Sequence, residues 1–227
     1  MSKFYFRLNK IAFTKSGAHK FLGLFGSDKA KVQVISFVVA DGGSLPDLDA
    51  VITENDQTKR AALLKAAATN MAYSVIFTPI DNIKSGAVVT FGNHGAIVYQ
   101  AKEIPDSFSW ELLCVKLNQG NRDLGKELLG VVDNEKFDGI AASIPSIVGA
   151  AASPAYTAAV ALGKFVFKAF MTHLSNQHDK QLGIMETSFI RDIDYAHGKL
   201  DEVGVPDEQN NLAIDYTLFA FDEPPKQ

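Results

Sequence analysis

The chain has 227 residues, 47% of them hydrophobic and 21% charged, with a formal net charge of −4. That is the composition of an ordinary globular protein able to bury a full core, and with no basic run to neutralise phosphates it gives no reason to expect a nucleic-acid partner. The single cysteine, Cys114, excludes an intramolecular disulfide and a cysteine-rich zinc site. Set in an apolar run, it reads as a buried, inert thiol.

The N-terminus, MSKFYFRLNK, has no apolar run or cleavage site of a signal peptide, so a cytoplasmic location is the default expectation, with signal-independent export left open. Phe4, Phe6 and Leu8 alternate with Tyr5, Arg7 and Asn9, the period-two pattern of a strand. Phe21, Leu22, Leu24 and Phe25 form an apolar insert between loop-like, Gly-bearing stretches. They are a candidate docking tip for a membrane or a protein partner, or a satellite of the core. The β-branched run 31–40 predicts a second strand whose apolar residues switch phase between Val34 and Ile35, as a bulge or two-sided burial requires.

An acidic turn, 41–49, leads into a run of high helix propensity over 55–71 with a capping residue at its start. Further strands are expected at 73–79, 87–91, 96–103 and 109–117, separated by Gly-, Pro- and Asn-rich turns. Strands that follow one another without helices between them pair antiparallel.

Residues 139–163 then carry no charge over 25 positions, long enough to raise the question of a membrane span. Asp138 can cap a first helix carrying Ile140, Ile144, Ile147 and Val148, kinked or restarted at Pro145 and ended at Gly149. Ser153 and Pro154 supply the N-cap and first-turn residue of a second helix. In that helix Tyr156, Val160, Gly163, Phe167, Phe170 and Leu174 fall on one face, with Ala159, Leu162, Val166 and Ala169 beside them. Thr157, Ala161, Lys164, Lys168 and Thr172 are left for water. Each lysine near a bilayer centre would cost about 2.5–3.5 kcal/mol, so the stretch reads as an Ala-rich helical hairpin packed on the protein's own sheet. Strands resume at 185–193 and 211–221, joined by a long polar connection.

Few patterns carry chemistry. The run Gly120-Asn-Arg-Asp-Leu-Gly125-Lys126-Glu127 has the glycine and lysine positions of a phosphate-binding loop. It places Glu127 where a magnesium-ligating hydroxyl is needed and Asp123 inside the intended phosphate nest, which leaves a strand-to-helix turn. His173 and His178 are five apart, the wrong spacing for i, i+4 ligands, and read as polar residues at a helix C-terminus. His19, His94 and His197 sit in loops or turns without a recognisable triad partner.

Carboxylates are what cluster: Asp41, Asp47 and Asp49 in one loop, Asp133 and Asp138 in another, and Asp179 in a third, oxygen donors of the kind calcium needs. The loop Asp41-Gly-Gly-Ser-Leu-Pro-Asp47-Leu-Asp49 after a strand, with His178-Asp179-Lys-Gln-Leu-Gly183 before one, resembles the C2 family of β-sandwiches. That resemblance implies calcium held by Asp41, Asp47, Asp49 and Asp179, and loops that dock on lipid headgroups. The chain differs from the family in having a single aspartate in the third loop and in its helical hairpin.

The expectation is therefore an α+β protein: an antiparallel β-sandwich of about seven to nine strands over 1–135 and 183–222 in a single domain 1–227. An Ala-rich helical hairpin is inserted over 138–177, and there is one further helix. The expected function is a non-enzymatic interaction module for a protein or a lipid surface, assisted by calcium, and a homo-oligomer is open. The alternatives are a membrane-active protein that releases its hairpin on a trigger, and an enzyme whose site is assembled from distant residues such as His94, His197 and the acidic loops.

Overall fold

The structure is a computed structural model that describes residues 3–14, 30–41, 48–84, 86–118, 122–149 and 151–221. The nine described strands are β1 (Lys3–Phe13), β2 (Ala30–Ala40), β3 (Ile76–Ile83), β4 (Val88–Thr90), β5 (Ala96–Ala101), β6 (Ser107–Lys116), β7 (Lys180–Ile190), β8 (Lys199–Pro206) and β9 (Leu212–Phe221). The six described helices are α1 (Asp49–Thr53), α2 (Gln57–Ala72), α3 (Leu124–Asn134), α4 (Asp138–Val148), α5 (Pro154–Asn176) and α6 (Arg191–Asp194).

All strand pairs are antiparallel, and they form two sheets. The first has the order β4–β1–β9–β8, with β5 also on β1; the second has the order β3–β2–β6–β7. Strands β4 and β5 lie along the same edge of β1, at Lys10–Ala12 and Phe4–Leu8 respectively, so they act as one long strand broken at 91–95. A register shift in β1 after Leu8 moves the inward phase from Phe4, Phe6 and Leu8 to Ile11 and Phe13, extending the strand beyond the simple alternation.

The molecule has three layers. Phe4, Phe6, Phe108, Trp110, Phe189, Tyr195 and Tyr216 meet between the two sheets, with neighbouring ring centroids 4.6–5.9 Å apart. The polar ends of the buried rings are satisfied: Trp110 Nε1 donates to Ser36 Oγ at 2.7 Å and the Tyr195 hydroxyl to the Pro105 carbonyl at 2.6 Å. On its other face the second sheet carries Ile35, Phe37, Val39, Leu113, Val115 and Ile184 under the helices.

The phase switch at Val34/Ile35 is thus two-sided burial. Even-numbered residues of β2 face the first sheet and odd-numbered ones face the helices.

Helices enter by two excursions, α1 and α2 between β2 and β3, and α3, α4 and α5 between β6 and β7. The pair expected as a separate insertion is therefore part of a five-helix layer, in which α2 contacts α3, α4 and α5. Arg60 of α2 ties it together, its buried guanidinium donating to the carbonyls of Val51 (3.3 Å), Ala141 (3.0 Å) and Glu54. Lys164, Lys168 and Thr172 are exposed on α5, as their spacing predicts.

Three local expectations need correction. Ser153 does not cap α5 with its side chain; its Oγ lies 3.3 Å from Asp41 Oδ1, and Pro154 alone sets the start. The polar connection before the last strand contains β8, which escapes the period-two test because it is an edge strand exposed along most of its length. The strand expected at 73–79 lies instead at Ile76–Ile83, running through Pro79 and Asn82, whereas the strand-to-helix turn read at 120–127 does lead into a helix, α3, which buries Leu124, Leu128 and Val132.

Candidate functional site

Of the aspartates suggested for calcium, Asp41 and Asp179 stand far apart. Asp41 follows β2, and its N–H donates to Ser107 O at the start of β6. Asp179 precedes β7, whose Lys180 pairs with Lys116 at the end of β6. The two lie at opposite ends of a ten-residue strand, roughly 30 Å long. Asp49 stands exposed at the start of α1, and Asp47 lies outside the described residues. Among the described residues no three His, Cys, Asp or Glu side chains come together as a metal would need. The apolar insert Phe21, Leu22, Leu24 and Phe25, and His19, also lie outside them.

Asp179 has a different role. Its Oδ1 accepts from the Asn118 N–H at 2.8 Å and its Oδ2 from Arg122, which also forks onto Glu127; Glu127 in turn meets His173 Nε2 at 3.2 Å. Hydrogen bonds from Arg122, then from His173, hold the Glu127 carboxyl below the usual carboxylate range. These paired groups fasten Asn118, Arg122, the approach to β7 and the end of α5 to α3.

The neighbouring phosphate-loop likeness is closed by its own residues. Asp123 caps α3 by accepting from the Lys126 N–H at 3.1 Å and pairs with Lys126 Nζ at 3.2 Å, so a carboxylate already occupies the helix N-terminus.

Cys114 is buried between the sheets, and burial pushes its thiol up, away from the thiolate that a nucleophile needs. His94 sits in the break between β4 and β5, and His197 in the turn before β8.

Among the described residues one sheet face is left without a layer: the outer face of the first sheet. The alternation that buries Phe4, Phe6, Leu218 and Ala220 places Lys3, Tyr5 and Arg7 of β1 and Thr217, Phe219 and Phe221 of β9 on that face. In register, Lys3 lies opposite Phe221, Tyr5 opposite Phe219, and Lys199 of β8 on the far side of Phe219; Ile97 of β5 flanks Arg7.

Phe219 is the centre of the arrangement. The Arg7 guanidinium carbon stands 4.5 Å and Lys199 Nζ 5.5 Å from its ring centroid, and the Phe221 ring stacks beside it at 5.8 Å. Arg7 Nη1 donates to the His94 carbonyl at 3.1 Å, while its Nε has no hydrogen-bond partner among the described residues. Phe221 is 51% and Ile97 53% exposed.

Below this patch a polar chain fixes the strands: Asn9 Nδ2 to Thr217 Oγ1 and Thr217 Oγ1 to Asp201 Oδ1, both 2.7 Å, with Lys10 to Asp215 at 2.5 Å. Asp201 beside the patch is taken up by Lys199 and Thr217, which hold it below the ordinary aspartate value.

The period-two pattern sets Tyr5 and Arg7 on the phase opposite Phe4 and Phe6 but does not join them to a site, because the site exists only once β1, β5, β8 and β9 are in register. Its one legible signal is at the end of β9, where Leu218-Phe219-Ala220-Phe221 puts aromatic rings on the phase that should be polar.

No family model matches the sequence, and no curated protein matches it.

A second missed residue lies under the helices. Glu111 stands in the apolar run Phe108–Val115, is 3% exposed, and has an Oε2 with no hydrogen-bond partner among the described residues. Burial, and then Glu186, push its carboxyl up to about 7.

Proposed function

We propose that this chain is a non-enzymatic interaction module whose partner, a protein with an extended acidic segment, lies on the outer face of the first sheet. The observation that carries the reading is the Arg7–Phe219–Lys199 arrangement beside exposed Phe221 and Ile97. Cations are set against a ring on a face that no other layer of the described residues covers, in a chain whose overall balance is acidic. Carboxylates of a partner would pair with Arg7 and Lys199, and its apolar side chains would cover Phe221 and Ile97. This is an aromatic and arginine-bearing centre of the kind that dominates protein interfaces. A protein segment fits better than a lipid surface, because the patch lies on a sheet face and not on a protruding loop tip.

The C2 likeness enters this reading only as two packed antiparallel sheets used as a scaffold for recognition. Calcium is not part of it, since Asp41 and Asp179 stand at opposite ends of β6.

The test is fluorescence anisotropy of a labelled peptide alternating Asp or Glu with Phe, titrated with the full chain. Saturable binding is expected, weakened at least tenfold by Lys199→Glu and further by Arg7→Glu, with melting temperature checked for each variant. No binding to the native chain, or equal binding by a folded Lys199→Glu variant, would overturn the reading. Sedimentation with phosphatidylserine vesicles in the absence of peptide binding would assign the face to lipid and likewise overturn it.

A further inference from the structure

The cross-strand register of the second sheet places Glu111 of β6 directly opposite Glu186 of β7, with uncharged Phe37 of β2 opposite it on the other side. All three belong to the face that the helices cover. From above, α5 brings Lys164, whose Nζ bonds to Glu186 Oε2 at 2.9 Å. Glu208, in the β8–β9 connection, adds its charge near the same lysine. The charged groups facing this point are thus Glu186 from β7, Lys164 from α5 and, more remotely, Glu208. Of the two carboxylates, only Glu186 has the lysine's hydrogen bond, while Glu111 lies deeper, with Oε2 unpartnered.

Glu111 is buried beside Glu186, which with Lys164 stands at the exposed edge of the layer; a proton on Glu111 removes both its desolvation cost and the repulsion that Lys164 offsets only in part. The helix above it is seated with little slack. Gly163, the residue before Lys164, is so close to β2 that a Cβ there would stand 2.6 Å from Phe37 Cε1.

We propose that Glu111 is the proton-binding element of a latch between α5 and the second sheet. With the proton bound, the helix lies closed on β6 and β7. With the proton lost, Glu111 and Glu186 repel across the strand pair, Lys164 serves two carboxylates, and opening of α5 lets water reach Glu111. The helical layer, and any partner contact it makes, is then graded by pH around neutrality. Neither the Arg7 patch nor its partner is needed for this.

Amide hydrogen exchange of α5 in the full chain, corrected for intrinsic rates, reads the latch directly. Holding Glu111 near 7 in the closed state against 4.5 in water makes the α5 opening constant about twentyfold larger at pH 7.5 than at pH 5.5. In Glu111→Gln that rise is lost. An opening constant that is equal at the two pH values in the native chain, or that rises as steeply in the variant, overturns the proposal. Should the variant not fold, carbon NMR titration of the Glu111 carboxyl in the unaltered chain decides: a midpoint near 7 supports the latch and a midpoint below 5 overturns it.

Discussion

Glu111 and Asp207 are both buried carboxylates, and their surroundings give them opposite consequences. Asp207 accepts from three backbone N–H groups: Asn211 (2.6 Å) and Leu212 (2.8 Å) on Oδ1, and Ile184 (3.1 Å) on Oδ2. It thereby closes the β8–β9 connection and ties it to β7 in the other sheet. Asp207→Ala leaves those donors without partners and should lower the unfolding free energy by about 2–4 kcal/mol; a loss under about 1 kcal/mol in urea denaturation would show that water replaces the carboxylate.

The Oε2 of Glu111 has no such donor among the described residues. Its folded-state value near 7 lies above the ordinary 4.5, so the folded chain binds the proton more tightly than the unfolded one. Its contribution is favourable below about pH 4.5 and is lost as the pH rises to 7, by about 3 kcal/mol in all. Relative to the native chain, Glu111→Gln should therefore gain stability between pH 5 and pH 8, and a stability difference independent of pH would contradict this.

At the scale of elements, the helical layer depends on how closely α5 approaches β2. Gly163 makes that approach possible, and Gly163→Ala would push a methyl group into Phe37 and Val39. The expected cost is about 1–3 kcal/mol, read as a lower urea midpoint with unchanged slope. An unchanged midpoint would mean that the layer shifts without strain.

Strand and helix positions were legible wherever one face is buried and the other wet, as in β1, β9 and α5. The outward stripe of Lys164, Lys168 and Thr172 on α5 identified a packed helix correctly, and no described helix is long and apolar enough to cross a membrane. Strand β8 was not legible because it is exposed along most of its length and its half-buried positions hold Leu200 and then Glu202, so the sequence shows no apolar alternation. Glu111 was hidden for the opposite reason: β6 is buried on both faces, so a charged residue within it leaves a run that still reads as an ordinary core strand.

At the scale of the whole molecule, the distribution of open surface favours faces over edges for recognition. Each sheet edge carries a feature that discourages strand addition. Pro79 lies in β3, the break at 91–95 separates β4 from β5, and Asp207 and Glu208 bond to Ile184 on β7. On β8, a register shift after Glu202, Gly204 at a φ of +70° and the terminal Pro206 do the same. The second sheet is covered on both faces, by the first sheet and by the helices. Among the described residues, the sheet face that remains is the outer face of the first sheet.

That site was illegible in the sequence because its residues come from positions 3–7, 97, 199 and 217–221 and meet only through strand register. The acidic loops, by contrast, were legible as a cluster only because two of their members are near in sequence, and the fold places Asp41 and Asp179 at opposite ends.

Chemical-shift mapping tests the central claim most directly: the isotope-labelled full chain is titrated with the acidic, phenylalanine-bearing peptide. The account predicts shifts concentrated at Tyr5, Arg7, Ile97, Lys199, Phe219 and Phe221, with the amides of α5 unmoved. Shifts confined to the helical layer, or none at saturating peptide, would contradict it.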